Sequence, residues 1–328
     1  MSTESLRIAV VGLGKMGLVH SSIMNVLPNV QLTALCEKNS LIRRFSKKLY
    51  DGVHIVDDVK RLSEFDLDAV YVTTPIPSHF GITKTLFSER IVRNVFVEKT
   101  LTQQYEESEE LSELANRLGG TNMVGYLRRF YVTFKKAKEL LLENSIGDVS
   151  SFKAYAYSSD FCGTRESGSR GGVLRDLGCY AVDLALWFFG ELRVDSTKLT
   201  TQIQNSQEPV SFELVNRDGL VGQFDISWRI PDYRMPEVGF SVSGSKGEIV
   251  ANDDRVELKQ TTGRSLVWYR HDLSDNVPFC LGLPEYYRED AYFIHSIMNN
   301  QNAEPDFRAA SKVDEIICQV EKKVGESH

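Results

Sequence analysis

The sequence has no long apolar run and no signal-peptide pattern. A membrane-spanning helix needs about 20 consecutive apolar residues, and no stretch of the 328 residues approaches that length. Residues 1–5, MSTES, lack a basic segment followed by an apolar one, which is the pattern of a secretory leader. We therefore predict a cytoplasmic protein with no membrane partner.

Cysteines are few, and basic residues are outnumbered by acidic ones. The five cysteines are scattered, and none has the CxxC spacing of a zinc site, so no metal is predicted. Cys36 and Cys179 lie in apolar runs and are expected to be buried free thiols. The formal net charge is −7. An acidic chain is a poor general binder of nucleic acid, so no nucleic-acid partner is expected.

The composition that remains is that of a globular protein, with 42% hydrophobic and 25% charged residues. At roughly 150 residues per domain, the length indicates two domains. The first, residues 1–125, alternates strands and helices. Its strands are short, apolar and not alternating, as expected for parallel strands covered on both faces. The predicted strands are Ile8–Val11, Gln31–Cys36, Ala69–Thr73, Asn94–Val97 and Asn122–Gly125.

The hydrophobic period changes to two after Gly125. Segments beginning near Phe152, Val210, Phe224 and Val238 alternate apolar and polar residues, which is typical of antiparallel strands with one solvated face. Two final helices are predicted over 285–298 and 307–324. The fold class is therefore α/β, with a Rossmann domain over 1–125 and a second domain over 126–328 that carries a large, mainly antiparallel open sheet.

A glycine loop follows the first strand. In this loop Gly12 permits a tight turn, Gly14 lets the backbone approach a pyrophosphate, and Gly17 lets the next helix pack against the strand. The helix that begins at Lys15 and Met16 presents free N–H groups and the positive end of its dipole to phosphates. We therefore predict a dinucleotide site at this loop.

Charge at the end of the second strand indicates which dinucleotide is preferred. Glu37 stands twenty residues after Gly17, where a carboxylate accepts hydrogen bonds from ribose hydroxyls and repels a 2′-phosphate. NAD is therefore preferred. Lys38, Arg43 and Arg44 lie nearby and leave NADP open.

Two later segments fall on the ligand side of the sheet, at the carboxyl ends of strands. The first contains Thr74, Pro75 and His79, and the second is Glu98-Lys99. We assign cofactor contacts to Thr74, Pro75, His79 and Glu98. Lys99 is expected beside the nicotinamide ring, which makes an enzyme possible.

A glycine-rich segment over 171–183 opens a helix in the second domain. Asp176 and Tyr180 stand four residues apart and project together, and by spacing they share a face with Asp183 and Trp187. The opposite face carries the predicted core residues Leu177, Ala181, Leu184 and Phe188.

Together these motifs resemble the Gfo/Idh/MocA family of NAD(P)-dependent oxidoreductases. The resemblance rests on the glycine loop, Thr74 to His79, Glu98-Lys99, Gly125 to Phe130 and Gly171 to Gly178. It implies that Lys99 and Asp176 are catalytic and that the second sheet forms homodimers or homotetramers. Two departures stand out. Thr100 replaces the family proline, and a cis bond is far less frequent before threonine, so the turn at Lys99 is expected to differ. Tyr180 stands where many members have histidine, which favours sugars.

The resulting hypothesis is hydride transfer between nicotinamide and a secondary alcohol or ketone of a sugar or polyol. Tyr180 is the expected acid/base, with Lys99 beside it across a domain cleft, and Asp176 is expected to orient the sugar. In the alternative, Lys99 contacts the reacting oxygen directly. Two other functions stay open, a non-catalytic NAD(P)-sensing regulator and an NAD-dependent glycosidase. The predicted substrate-side residues are Lys99, Tyr126, Arg128, Arg129, Tyr155, Tyr157, Arg165, Arg170, Asp176 and Tyr180.

Overall fold

The computed structural model describes residues 5–160, 162, 171–195, 209–273 and 284–326. Two sheets organise this part of the chain. The strands are β1 (Leu6–Val11), β2 (Val30–Cys36), β3 (His54–Val56), β4 (Ala69–Val72), β5 (Asn94–Glu98), β6 (Asn122–Gly125), β7 (Val149–Tyr157), β8 (Arg193–Val194), β9 (Val210–Val215), β10 (Val221–Ser227), β11 (Glu237–Gly244), β12 (Gly247–Asn252), β13 (Arg255–Gln260) and β14 (Ser265–Tyr269).

Eight α-helices occur in the same part of the chain. They are α1 (Lys15–Met24), α2 (Ser40–Leu49), α3 (His79–Ser88), α4 (Tyr105–Leu118), α5 (Val132–Leu142), α6 (Cys179–Phe189), α7 (Pro284–Met298) and α8 (Phe307–Glu326). Among the described residues, none of the helices combines the length and the apolar character that crossing a bilayer requires.

The chain divides into two compact units. The first contains Met1–Tyr126 and Phe279–Asp314, and the second contains Leu127–Pro278 and Glu315–His328. The second domain expected from the sequence, 126–328, thus includes a segment that packs with the first unit. Aromatic packing accounts for this, because the Phe293 ring on α7 lies 5.6 Å from that of Tyr71 and 5.8 Å from that of Phe96.

The first unit is built on a parallel sheet, as predicted, but with six strands rather than the five expected. Its order is β3-β2-β1-β4-β5-β6, and every neighbouring pair is parallel. All residues of β4 and β5 are buried, as expected for strands covered on both faces. The strand β3 is missing from the predicted set because it has only three residues, of which Val56 alone is buried.

The spacing of Met16, Val19, Ile23 and Val26 predicts an apolar stripe on the helix after the glycine loop, and the buried face of α1 differs from it. Val26 lies beyond the end of the helix and is 45% exposed. The buried face instead includes His20 and Ser21, and both side chains are hydrogen-bonded. Polar residues are tolerated there because their hydrogen-bonding groups are satisfied.

The second unit is built on an eight-stranded sheet in the order β14-β13-β12-β11-β7-β10-β9-β8. The pairs are antiparallel except β7 with β10, which is parallel. The predicted mainly antiparallel sheet is therefore confirmed. Phe152 faces α6, where its ring stacks on Phe189 at 4.4 Å. Tyr155 and Tyr157 alternate with it and stack on each other on the opposite face.

Candidate active site

The glycine loop between β1 and α1 is shaped by two packing contacts and one open space. Gly12 has φ of +90°, and a Cβ there would lie 2.6 Å from the Thr74 Cγ2 atom. A Cβ on Gly17 would overlap the Gly12 carbonyl oxygen. At Gly14, by contrast, a Cβ would meet no described atom within 4 Å.

The N terminus of α1 opens onto this space. Gly14 is the N-cap residue of α1, and it has no side chain that could cap the helix. Lys15 and Met16 begin the first turn. Backbone N–H groups of a helix start bind phosphate oxygens. The loop therefore fits a dinucleotide pyrophosphate.

Glu37 joins the second strand to the glycine loop. Its Oε2 atom accepts the Leu13 N–H at 2.8 Å, and its Oε1 atom accepts the Asn39 N–H at 2.8 Å. Each carboxylate oxygen has a second lone pair, so both can still accept a ribose hydroxyl. The half-buried carboxylate thus lies at the end of β2, the position expected from the sequence.

Negative charge dominates at this end of β2. Burial raises the pKa of the Cys36 thiol, and together with the carboxylates of Asp58, Glu37 and Asp57 it brings the value to about 12. The Arg43 guanidinium is directed at backbone, because it donates to the carbonyl oxygens of Glu37 and Lys38 at 2.8 and 2.6 Å.

The loop after β4 is tied to the glycine loop and to the residues after Lys99. The Thr73 hydroxyl donates to the Gly12 carbonyl oxygen at 2.8 Å. The His79 ring is fully buried, with Nε2 2.6 Å from the Thr74 carbonyl oxygen and Nδ1 2.9 Å from that of Thr100. The ring nitrogens of His79, predicted to contact the cofactor, thus join two loops instead. Thr74 is half-buried and Pro75 is exposed at the surface of the loop.

The Glu98-Lys99 pair ends β5, and the peptide bond between Lys99 and Thr100 is cis. The expectation of a different turn at this position is therefore wrong, since the bond is cis without the family proline. The Glu98 carboxylate accepts the Lys99 backbone N–H at 3.1 Å and lies 3.0 Å from the Nε2 atom of His20. It is 8% exposed, so its contacts are mainly internal to the first unit.

Two residues of this network were missed at the sequence level. His20 and Asp290 are both fully buried, and the His20 Nδ1 atom lies 2.8 Å from Asp290 Oδ1. The one available signal is a histidine on the inward face of α1. Asp290 is far away in sequence and gives no such signal.

In the second unit, Asp176 and Tyr180 flank a change of helix type. A π-helical turn spans Leu174–Gly178 and leads directly into α6. Wide turns of this kind are frequent at functional sites. Asp176 and Tyr180 are both half-buried, whereas the predicted core residues Leu177, Ala181 and Leu184 are buried. The fourth predicted core residue, Phe188, is only half-buried.

Arg128 places a cation beside Tyr180 within this unit. Its guanidinium carbon lies 4.3 Å from the centre of the Tyr180 ring. The same group donates to both oxygens of Asp253, at 3.2 and 3.0 Å, and to the Pro236 carbonyl oxygen at 3.0 Å. Burial opposes its charge, but Asp253, Tyr131 and Tyr180 outweigh burial and raise the pKa of Arg128.

Arg129 is held by a different carboxylate. It donates to Asp183 over 2.6 to 3.1 Å, and both side chains are buried. Burial raises the pKa of Asp183 although Arg129 opposes the rise. Asp183 therefore does not share the half-exposed face of Asp176 and Tyr180, because its charge is needed inside to balance Arg129.

Several predicted substrate-side residues have other surroundings. Tyr126 is fully buried and belongs to the first unit. Tyr157 lies on the sheet face opposite α6, because strand residues alternate, and its hydroxyl donates to Asp225 at 2.7 Å. Arg165 and Arg170 lie outside the described residues.

Two family models match this chain. Residues 6–126 match the oxidoreductase family with an NAD-binding Rossmann fold, and residues 134–250 match the GFO/IDH/MocA C-terminal domain. A scyllo-inositol 2-dehydrogenase (NADP(+)) of Bacillus subtilis is 24% identical over 217 residues, 64% of this chain and 59% of that protein. A D-glucoside 3-dehydrogenase of Escherichia coli is 24% identical over 58% of this chain and 56% of its own length.

A solved levoglucosan dehydrogenase in complex with NADH has the same fold. It superposes with a TM-score of 0.83 at 19% sequence identity and covers 98% of both chains. The alignments to the curated relatives span little more than half of those proteins' lengths. The two family matches together cover most of this chain, which therefore belongs to the Gfo/Idh/MocA family of oxidoreductases, with an NAD-binding Rossmann fold at its N terminus.

Proposed function

We propose that this protein is an NAD-dependent oxidoreductase that transfers hydride between nicotinamide and a secondary carbinol carbon of a cyclic sugar or polyol. The observation that carries the proposal is the half-buried Tyr180 beside the buried Arg128 cation, four residues after Asp176 in the sequence. The relatives support the substrate class, because inositol, glucoside and levoglucosan dehydrogenases are named for ring compounds that carry secondary alcohols.

The bound nicotinamide supplies the hydride chemistry, so the protein must bind the alcohol and move its proton. A nearby cation stabilises an ionised phenol. Arg128 is oriented for this role by its two contacts to Asp253. In our proposal Tyr180 accepts the hydroxyl proton during oxidation and returns it during reduction.

Asp176 and Lys99 complete the proposed chemistry. The Asp176 carboxylate accepts hydrogen bonds from neighbouring sugar hydroxyls and so sets which carbinol carbon reacts. Lys99 donates to the reacting oxygen and stabilises its developing negative charge. The alternative is that Lys99 itself carries the proton, and single variants at Lys99 and Tyr180 separate the two.

We further propose that NAD is preferred over NADP. Glu37 holds a carboxylate at the end of β2, and Arg43 donates to backbone carbonyls there. A 2′-phosphate would meet Glu37 at close range and be repelled. Titration of the protein with NAD and NADP by thermal shift tests this preference.

The remaining assignments are also proposals. The second unit binds the substrate, and homo-oligomers form through the open face of the eight-stranded sheet, where Tyr155 and Tyr157 are half-buried. A cytoplasmic location stays a prediction.

A panel of cyclic polyols and sugars, screened with NAD and NADP, tests the function. Appearance of the NADH absorbance band with at least one compound supports it. Tight NAD binding with no turnover on any compound supports the regulator instead. Release of a leaving group without net NADH supports the glycosidase.

A further inference from the structure

Two buried histidines contact the chain on the two sides of Lys99. The His20 Nε2 atom lies 3.0 Å from Glu98 Oε1, and Glu98 Oε2 accepts the Lys99 backbone N–H at 3.1 Å. On the other side, the His79 Nδ1 atom lies 2.9 Å from the Thr100 carbonyl oxygen. Both rings are 0% exposed, so neither can reach a ligand.

Each histidine also connects Lys99 to a segment predicted to bind the cofactor. His20 belongs to α1, three residues after Gly17 at the glycine loop. The His79 Nε2 atom lies 2.6 Å from the carbonyl oxygen of Thr74. The backbone around Lys99 is therefore held by the same two segments that surround the proposed dinucleotide site.

Charge fixes the orientation of the His20 ring. Its Nδ1 atom lies 2.8 and 3.0 Å from the two carboxylate oxygens of Asp290. Burial opposes the imidazolium, but Asp290 and Glu98 outweigh burial and raise the pKa of His20 well above its usual value. A doubly protonated ring has two N–H donors, and here each faces a carboxylate, so the ring has one favourable orientation.

His79 differs in its surroundings. Burial lowers its pKa, while the carbonyl oxygens of Thr100 and Thr74 oppose that effect. Its two ring nitrogens lie against backbone carbonyl oxygens, so it constrains the position of the turn after Lys99, and the Glu98 carboxylate acts on it through charge.

We propose that His20 and His79 are positioning residues that fix Lys99 relative to the cofactor-binding segments. Asp290, from α7, orients His20 and so acts on the same network. The inference rests on the proposed role of Lys99 in the reaction. The claim that the two histidines set the environment of the Lys99 amine does not depend on that role.

The test measures the chemical reactivity of the Lys99 amine. In the full-length protein, peptide mass spectrometry measures the rate at which a small amine-reactive reagent modifies Lys99, for the wild type, His20→Gln and His79→Gln. We expect this rate to differ from that of the wild type by about threefold or more in each histidine variant. A substitution at a site independent of Lys99 would change the rate by less. With a substrate in hand, kcat falls about 10- to 100-fold, as a displacement of about 1 Å produces.

Ser21→Ala is the matched control, because Ser21 is buried on the same helix and bonds Tyr50 rather than Glu98. It should leave the labelling rate and kcat unchanged and the Kd for NAD within about twofold. In a Lys99→Met background, His20→Gln should cause no further loss of kcat, because both changes act through one group.

Unchanged labelling of Lys99 in folded His20→Gln and His79→Gln would overturn the proposal, as would an equal effect of Ser21→Ala. If His20→Gln does not fold, Glu98→Gln takes its place: it replaces one carboxylate oxygen by an NH2 group, so either the His20 ring or the Lys99 backbone N–H loses its acceptor. Normal turnover of Lys99→Met would refute the proposed function at Lys99, while the labelling rates would still decide whether the histidines position it.

Discussion

The Arg128–Tyr180 contact gives the sharpest quantitative prediction. Two unit charges 4.3 Å apart attract by about 4 kcal/mol at an effective dielectric constant of about 20. The phenolate charge is centred on the oxygen rather than at the ring centre, so we take about 3 kcal/mol. If this interaction stabilises the reacting form of Tyr180, its loss should lower kcat/KM by about 100-fold at neutral pH.

The perturbation must not leave a buried charge unpaired, which alone costs about 3–5 kcal/mol of folding stability. Arg128→Met is therefore combined with Asp253→Asn. The control is Arg129→Met with Asp183→Asn, which removes the adjacent buried ion pair in the same way.

The assay is steady-state turnover of the identified substrate with saturating NAD, using protein shown to be folded by thermal unfolding. We expect the 128/253 variant to lose about tenfold in kcat/KM, less than the Arg128 charge alone would give, because the variant also removes the repulsion between the Asp253 carboxylate and the phenolate. The 129/183 variant should stay within about threefold. The loss should disappear in a Tyr180→Phe background. If the 128/253 variant retains near-normal kcat/KM, Arg128 gives Tyr180 no catalytic support.

Three further predictions address the proton carrier, the cofactor and the buried histidine. Tyr180→Phe should lower kcat by about two orders of magnitude, whereas near-normal turnover with inactive Lys99→Met would assign the proton to Lys99. Glu37→Gln should narrow the ratio of the NADP and NAD dissociation constants, measured by fluorescence titration, because it removes the charge that repels a 2′-phosphate. The pKa of His20 is higher in the folded than in the unfolded protein, so the stabilisation from its proton is complete below about pH 6.5 and lost as pH rises through the folded pKa. Urea unfolding between neutral and alkaline pH should therefore show falling stability, with a flatter pH dependence in His20→Gln.

The parallel sheet of the first unit could be predicted because its signals are local. Short apolar strands separated by helices allow few arrangements, and the glycine loop specifies its own turn. The same holds for the period-two strands of the second unit and for the two-residue turn Ser245-Lys246 between β11 and β12.

The partners of the charged residues could not be predicted in this way, because an ion pair can join residues that are far apart in the sequence. Arg128 and Arg129 are adjacent in sequence, yet they bind Asp253 and Asp183, which lie 125 and 54 residues away. Both arginines were therefore predicted to be substrate-side residues. His20 was overlooked for the same reason, since its partner Asp290 is 270 residues away.

Local backbone geometry could not be predicted from the sequence either. Helical spacing places Asp176 and Asp183 on one face, but the π turn over Leu174–Gly178 changes the number of residues per turn. Asp183 is then buried against Arg129. The cis bond after Lys99 occurs without proline, so a rule based on residue type alone predicts the wrong turn.

The most direct test of the account is NADH formation by the purified protein with NAD and a panel of cyclic polyols and sugars, run beside Lys99→Met and Tyr180→Phe. We predict that at least one compound produces NADH with the wild type, and that the rate falls by two orders of magnitude or more in at least one variant. Tight binding of NAD without NADH formation from any compound, or undiminished rates in both variants, would contradict it.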